Sequence, residues 1–193
     1  IPREKFYQER RVALTPEAVQ VLVGNGHRVI VESKAGEGAR LSDAEYSECG
    51  AEIVPQAEEV FKANIIIKTA PPSNEEVKML HGGQNIISPL HLPALEKNFL
   101  EDLLSKKVTA LAYEYLQDES DNFPIVSAMS EIAGSAAILI AAELLSHPNF
   151  GKGILLGGIA GVPPASVVIL GAGTVAEFAA RSAIALGAEV KMA

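Results

Sequence analysis

The chain has 193 residues, of which 48% are hydrophobic and 21% charged, with a formal net charge of -8. This length suits one large domain or one and a half smaller ones, and the composition is ordinary for soluble α/β proteins. The negative charge argues against nucleic acid and anionic membranes as partners, and a single cysteine, Cys49, excludes an internal disulfide framework. The longest apolar stretch, residues 132–145, contains Glu143 and is shorter than a bilayer span. We therefore expect a cytoplasmic protein with no membrane segment.

The first part of the chain alternates predicted helices with predicted strands. Thr15-Pro16-Glu17 has the pattern of a helix start, and Ser42 with Glu45 has the pattern of another. Ile65, Ile66 and Ile67 form a fully apolar run that we expect to be buried on both faces. This spacing predicts βαβ units and a parallel sheet, with strands at 27–31, 52–54, 64–69, 84–88 and 108–112 and further helices at 58–62, 74–80 and 95–105.

A polar, loop-like segment at 118–124 precedes a long alanine-rich helix, which we predict over about 127–145. The domain boundary is predicted at this change of composition. Residues 1–126 would form one domain, and residues 127–193 would form a linking helix and the beginning of a second domain.

The most informative segment lies at 167–176, where an apolar, mostly β-branched run leads into a glycine turn and a helical pattern. A strand that turns through glycines into a helix offers backbone N–H groups and the positive end of the helix dipole to a pyrophosphate. Gly171 permits the tight turn, Gly173 lets the backbone approach phosphate, and Ala176 permits close helix–strand packing. A plain glycine turn is the alternative. The predicted dinucleotide-binding turn consists of Gly171, Ala172, Gly173, Thr174, Val175 and Ala176.

The chain begins at Ile1 without a methionine and ends at Ala193. A dinucleotide site needs an acidic residue about 20 residues beyond the glycines to bind the ribose hydroxyls, and Ala193 lies at or just before that place. We therefore expect these residues to be a piece of a larger protein.

Three side chains near the expected carboxyl ends of the sheet are candidates for substrate chemistry. His91 follows the strand at 84–88 and could donate to a carbonyl oxygen and exchange a proton; the alternative is a structural histidine that caps a loop. Arg11 suits bidentate recognition of a carboxylate, although a pair with Arg10 near a chain start is commonly solvated. Lys68 ends the isoleucine strand and either reaches solvent or projects into the cleft.

Other polar residues have weaker indications. Ser130 and Glu131 are expected to cap the long helix, and a serine there can contact a cofactor phosphate. Glu114 is either an active-site carboxylate or a loop residue. The other histidines have no partners at metal-ligand spacing, so no metal site is predicted; they are His27, His81 and His147.

Several motifs occur in an order that resembles alanine dehydrogenase and the related nicotinamide-nucleotide-binding portion of proton-translocating transhydrogenase. The resemblance extends over nearly the whole chain. Its motifs are Ile1-Pro2-Arg3-Glu4, Arg11-Val12-Ala13-Leu14-Thr15-Pro16, Gly36-Glu37-Gly38, Leu90-His91-Leu92, Ala112-Tyr113-Glu114, Met129-Ser130-Glu131-Ile132-Ala133-Gly134 and Leu155-Leu156-Gly157-Gly158 with Gly161-Val162-Pro163-Pro164.

This resemblance implies a Rossmann-like substrate domain followed by the start of a nucleotide domain, in a homo-oligomer. Arg11 matches the arginine that binds the substrate carboxylate, and His91 matches the histidine that hydrogen-bonds the keto oxygen and acts as acid or base. Ser130 matches a serine near the cofactor, which is NAD, and the glycine turn matches the pyrophosphate loop. The family's catalytic aspartate would fall beyond Ala193.

Two departures from the family pattern leave the activity open. Ala70 stands where alanine dehydrogenases have a substrate-contacting lysine, and Ser135 replaces a common arginine. Oxidative deamination of L-alanine to pyruvate and ammonia is the favoured activity, since transhydrogenases lack a histidine at position 91. The alternatives are an NAD(H)-binding transhydrogenase subunit and a relative that has lost the chemistry. Because Lys68 shares a strand face with Ala70, we predict that Lys68 points toward Arg11 and His91 and supplies the missing charge.

Overall fold

A computed structural model describes residues 1–95 and 97–193. The described residues form an α/β structure in which every pair of named strands is parallel, as predicted. The chain divides into two compact units, Ile1–Tyr115 and Leu116–Ala193.

The first unit alternates helices and strands in the predicted order. β1 pairs with β2, while β4 lies between β3 and β5 in a second sheet. Glu96, which the predicted helix at 95–105 includes, lies outside the described residues. The elements are α1 (Pro16–Gly24), β1 (Ile30–Glu32), α2 (Asp43–Glu48), β2 (Glu52–Val54), α3 (Ala57–Val60), β3 (Ile65–Ile67), α4 (Asn74–Met79), β4 (Asn85–Ser88), α5 (Lys97–Ser105) and β5 (Thr109–Ala112).

The helix starts predicted from capping residues are confirmed. Thr15 Oγ1 accepts a hydrogen bond from the Ala18 N–H at 3.4 Å, which satisfies one of the unpaired donors of α1. Ser42 and Glu45 form a capping box at α2, with the Ser42 N–H donating to Glu45 Oε2 at 2.6 Å. These signals are local in sequence, which explains why the sequence suffices to locate them.

The prediction that the isoleucine strand is buried on both faces is wrong. Ile66 is fully buried and belongs to a core that includes Phe61 and Val77, but Ile65 is 51% exposed. Successive side chains of a strand point to opposite faces of the sheet. Only the face of β3 that carries Ile66 is therefore fully covered in the described structure.

The second unit is built on a helix pair beside a two-stranded parallel sheet. The alanine stripe of its second helix faces inward, with Ala179 and Ala183 in the unit's core. A Cβ at Gly134 would overlap the carbonyl oxygen of Val175, so the two helix backbones pass in close contact at this glycine. The elements are α6 (Pro124–Ser146), β6 (Ser166–Ile169), α7 (Thr174–Ala185) and β7 (Glu189–Met192).

α6 differs from its prediction at its beginning. Because it begins at Pro124 with Phe123 as its N-cap, Ser130 and Glu131 lie inside the helix, and the prediction that they cap it is wrong. The predicted domain boundary at residue 126 would fall in the first turn of α6, and it stays a prediction.

The length of α6 also removes one argument made from the sequence. Its 23 residues are long and apolar enough to cross a membrane by length and composition alone, and 11% of its most apolar window is buried. The apolar stretch at 132–145 is shorter than the helix that contains it, so the length of that stretch does not exclude a membrane span. One such helix is weak evidence for a span, since core helices of soluble proteins have the same composition.

Candidate functional site

Polar atoms without partners mark the carboxyl ends of three adjacent strands in the first unit. Thr69 Oγ1, Ser88 Oγ and Glu114 Oε2 are buried and make no hydrogen bond among the described residues. Thr69 follows β3, Ser88 ends β4 and Glu114 follows β5. Buried polar groups are nearly always hydrogen-bonded, and open parallel sheets bind ligands beyond the carboxyl ends of their strands. This edge of the sheet is therefore the candidate substrate site.

Tyr113 connects the outer strands at this edge. Its hydroxyl donates to the carbonyl oxygen of Thr69 at 2.8 Å. Because β4 lies between β3 and β5, the side chain crosses the carboxyl end of β4. Burial is the main cause that raises the pKa of Tyr113 to about 12. The charge of Arg11 lowers this pKa, and the charge of Glu4 raises it further. Tyr113 is therefore a neutral donor at physiological pH, and it lies within electrostatic reach of Arg11.

Arg11 is held by a bidentate ion pair with Glu9. Arg11 Nε lies 2.9 Å from Glu9 Oε1, and Nη2 lies 2.6 Å from Oε2. The hydrogen bond from Arg11 is the main cause that lowers the pKa of Glu9, and the same bond raises the pKa of Arg11. The Arg11 side chain is 57% exposed while Glu9 is 10% exposed. Glu9 thus fixes one edge of a guanidinium that remains accessible to solvent, although its predicted role in carboxylate binding stays a prediction.

A cleft of about 370 Å³ opens beside Arg11, and its lining includes Arg3, Arg10, Lys34 and Glu4. Gly38 lines the same cleft, and a Cβ there would lie 2.5 Å from the carbonyl oxygen of Arg10. The absence of a side chain at Gly38 therefore lets the backbone of Arg10 lie close to the backbone of Gly38.

Lys68 is a buried ion-pair centre, so the alternative in which it reaches solvent is wrong. Its Nζ lies 2.7 Å from Glu4 Oε2 and 3.0 Å from Glu76 Oε1, and its side chain is 1% exposed. Glu4 Oε1 also accepts a hydrogen bond from the Thr69 N–H at 2.5 Å. The hydrogen bond to Glu9 is the main cause that raises the pKa of Arg11, and the charge of Glu4 raises it by a smaller amount. Glu4 therefore connects Lys68 with the surroundings of Arg11. The predicted contribution of Lys68 to substrate binding stays a prediction.

His91 lies just beyond β4 in a left-handed backbone conformation, with φ 49° and ψ 50°. Its N–H and that of Leu90 both donate to Glu114 Oε1, at 2.8 and 2.9 Å. The His91 side chain is exposed and makes no capping hydrogen bond to the 3₁₀ turn that follows, Leu92–Ala94. His91 therefore occupies the N-cap position without a capping bond from its side chain, and its predicted role in proton exchange stays a prediction.

Two neighbours of the candidate residues were not predicted from the sequence. The roles of Glu9 and Glu4 depend on contacts with Arg11 and Lys68 that the sequence does not display. One signal was present, because a lysine at the end of an apolar strand needs a nearby carboxylate if it is buried.

The glycine turn of the second unit leaves open space beside its two glycines. Gly171 has a φ of +120°, which favours glycine, and Gly173 is the N-cap of α7 without a side-chain capping bond. A Cβ at either glycine would meet nothing within 4 Å. Packing within the described residues therefore does not require Gly173, and close approach of a ligand to the α7 N-terminus is a physical reason for it.

A parallel α/β unit with polar side chains at its strand ends and a second unit with a glycine turn at a helix N-terminus are features typical of α/β proteins that bind dinucleotides and small substrates. Family models described as the N-terminal and C-terminal domains of alanine dehydrogenase/PNT match residues 1–133 and 137–193. The chain belongs to the alanine dehydrogenase/PNT family, as its motifs predicted.

Individual relatives agree with this assignment. Alanine dehydrogenase of Methanococcus maripaludis is 44% identical over 191 residues, and alanine dehydrogenase 2 of Staphylococcus aureus is 41% identical over 190; each match covers 98% of this chain and 51% of the relative. An L-alanine dehydrogenase structure matches with a TM-score of 0.93 and 38% identity, over 99% of this chain and 53% of that one. A transhydrogenase structure from Sinorhizobium meliloti matches with a TM-score of 0.84 and 28% identity, over 98% and 56%. The chain thus spans about half the length of these relatives.

Proposed function

We propose that the protein is an NAD-dependent alanine dehydrogenase, which converts L-alanine, NAD⁺ and water to pyruvate, ammonium, NADH and a proton. The observation that carries this proposal is a pair of anchored residues in the first unit, with the Arg11 guanidinium held by Glu9 and the His91 backbone N–H held by Glu114. The greater identity to alanine dehydrogenases, 38–44%, than to the matched transhydrogenase structure, 28%, supports the same activity.

In this proposal Arg11 binds the carboxylate of alanine or pyruvate through charge-assisted hydrogen bonds. His91 hydrogen-bonds the oxygen that forms at the α-carbon and exchanges a proton with it. Lys68 would act on the substrate from its buried position, where its ammonium is paired with two carboxylates, Glu4 and Glu76. The first unit therefore supplies recognition of a small amino acid or oxo acid.

The second unit would hold NAD, which supplies the hydride acceptor when bound. The residues present fit a pyrophosphate, because α7 has no side-chain cap and Gly173 leaves space at its N-terminus. Gly171, Gly173 and Ala176 would allow the approach of the phosphates, with the backbone N–H groups of Ala172, Thr174 and Val175 near them. Ser130 would lie close to the cofactor.

The alternative function is an NAD(H)-binding subunit of a proton-translocating transhydrogenase. Ala70 favours it, since this position is buried and carries no cation where alanine dehydrogenases have a lysine. For either function we propose a substrate domain of residues 1–126, a nucleotide domain that begins at 127, a homo-oligomeric assembly and a cytoplasmic location.

A rate measurement separates the two functions. The protein in its complete form is expected to reduce NAD when L-alanine is added, and to show no hydride transfer from NADH to an oxidised nicotinamide analogue in the absence of alanine. Both reactions are followed by absorbance. Hydride transfer between nucleotides without alanine-dependent reduction would contradict the dehydrogenase and support the transhydrogenase.

Residues 1–193 on their own are expected to bind NAD weakly and to turn over nothing. They contain the predicted pyrophosphate turn on the two-stranded sheet of β6 and β7, and they span about half the length of the relatives. Isothermal titration calorimetry with NAD measures the affinity. A micromolar Kd for residues 1–193 would contradict this expectation.

A further inference from the structure

We propose that Glu114 is the positioning residue of His91, with its carboxylate holding the backbone that presents the imidazole to the substrate. This inference rests on the proposed function, in which His91 touches the substrate oxygen. The role of Glu114 is to act through His91, and the sequence left it open between an active-site carboxylate and a loop residue.

The position of Glu114 follows from the register of the sheet. Ser88 of β4 is paired with Ala112 of β5. Leu90 and Glu114 each lie two residues further along, so the contact between them lies just beyond the end of this strand ladder. A single oxygen, Glu114 Oε1, accepts both the Leu90 N–H at 2.9 Å and the His91 N–H at 2.8 Å. This arrangement ties two successive peptide groups of the loop to β5.

The conformation of His91 needs such a restraint. A φ of 49° places it in the left-handed region, which is unfavourable for residues other than glycine and persists where the surroundings enforce it. Leu90 is buried and anchors the loop on one side, whereas the His91 side chain is exposed. The hydrogen bond from its N–H to Glu114 therefore orients the histidine itself.

The charge of the carboxylate strengthens this contact. Burial raises the pKa of Glu114, but the N–H donors of Leu90, Glu114 and His91 and the charge of His91 together lower it below its usual range. Glu114 is therefore ionised near neutral pH. Hydrogen bonds to an ionised acceptor are shorter and stronger than neutral ones. The second oxygen, Oε2, is buried without a partner among the described residues, so both protein hydrogen bonds from the loop fall on Oε1.

A double-mutant cycle in the complete enzyme tests the proposal. Glu114→Ala is expected to lower kcat for alanine oxidation about 10- to 100-fold, the effect of losing hydrogen bonds to a charged group, with the KM for NAD unchanged. Glu114→Gln keeps an acceptor oxygen, so its fold-loss of kcat should be roughly a third of that for Glu114→Ala, or less. In a His91→Ala background, Glu114→Ala should change kcat by less than about twofold, because a residue that acts through His91 has no effect without it. Glu119→Ala, which removes an exposed carboxylate, is the matched control and should leave kcat unchanged.

An NMR measurement tests the contact independently of activity. The amide protons of Leu90 and His91 should resonate downfield in the wild type and move upfield together in Glu114→Gln. Equal losses of kcat in both backgrounds, or amide shifts that do not respond to Glu114→Gln, would overturn the proposal. An inactive wild type whose two amide protons do respond would contradict the proposed function and leave the positioning contact supported.

Discussion

Lys68→Met is expected to destabilise the first unit by about 3–5 kcal/mol, because removing one partner of a buried ion pair leaves an uncompensated buried charge. The side chains of Glu4 and Glu76 are 4% and 3% exposed, and both contact Lys68 Nζ. The substitution would leave both carboxylates in a site with little water.

Urea unfolding followed by tyrosine fluorescence measures this effect. The chain has four tyrosines and no tryptophan, and all four lie in the first unit at positions 7, 46, 113 and 115, so the signal reports on that unit. Lys62→Met, at an exposed lysine beyond α3, is the matched control and should change the free energy of unfolding by about 0.5 kcal/mol or less. A loss below about 1 kcal/mol for Lys68→Met would contradict the buried ion-pair centre, since such a value is typical of an exposed pair.

The location of Lys68 illustrates what the sequence could and could not predict. The position of Lys68 at the end of an apolar strand was evident, and so were the two possible directions of its side chain, toward solvent or into the cleft. The pairing with Glu4 was not, because Glu4 lies 64 residues away along the chain. The contact depends on how the N-terminal segment passes the carboxyl end of β3, and no local pattern encodes that path.

Local signals predicted the elements well for a physical reason. Capping residues such as Thr15 and Ser42 act within one turn of a helix, and the glycine turn at 171–173 acts within one strand–helix connection. Burial depends on what packs against an element, so the exposure of Ile65 was predicted incorrectly. The N-terminus of α6 was also placed too late, since the helix includes Pro124 at its first position, where proline is favourable.

The candidate site shows the same difference between what local sequence predicts and what depends on tertiary packing. His91 and Arg11 could be proposed from the sequence because their side chains suit carbonyl and carboxylate chemistry. The residues that orient them, Glu114 and Glu9, belong to the three-dimensional arrangement. Glu9 lies only two residues from Arg11, yet its bidentate contact requires a specific backbone path between them.

Arg11→Ala is expected to raise the KM for pyruvate about 10- to 100-fold, which corresponds to the roughly 1.5–3 kcal/mol of a hydrogen bond to a charged group. The KM for NADH should remain within about twofold of the wild type, since Arg11 lies in the first unit and the glycine turn in the second. Arg11→Lys keeps the charge but loses the planar fork, so it should recover only part of the affinity.

We propose that the edge of the first unit's sheet beside Arg11 binds the carboxylate of the substrate. The most direct test is to measure the KM for pyruvate and for NADH side by side in the wild type, Arg11→Ala and Arg28→Ala. The predicted result is a large rise in the KM for pyruvate alone, in Arg11→Ala alone, because Arg28 is an exposed arginine that pairs with Glu52 and does not line the cleft beside Arg11. Equal changes in both constants, or equal effects of the two arginines, would contradict the claim.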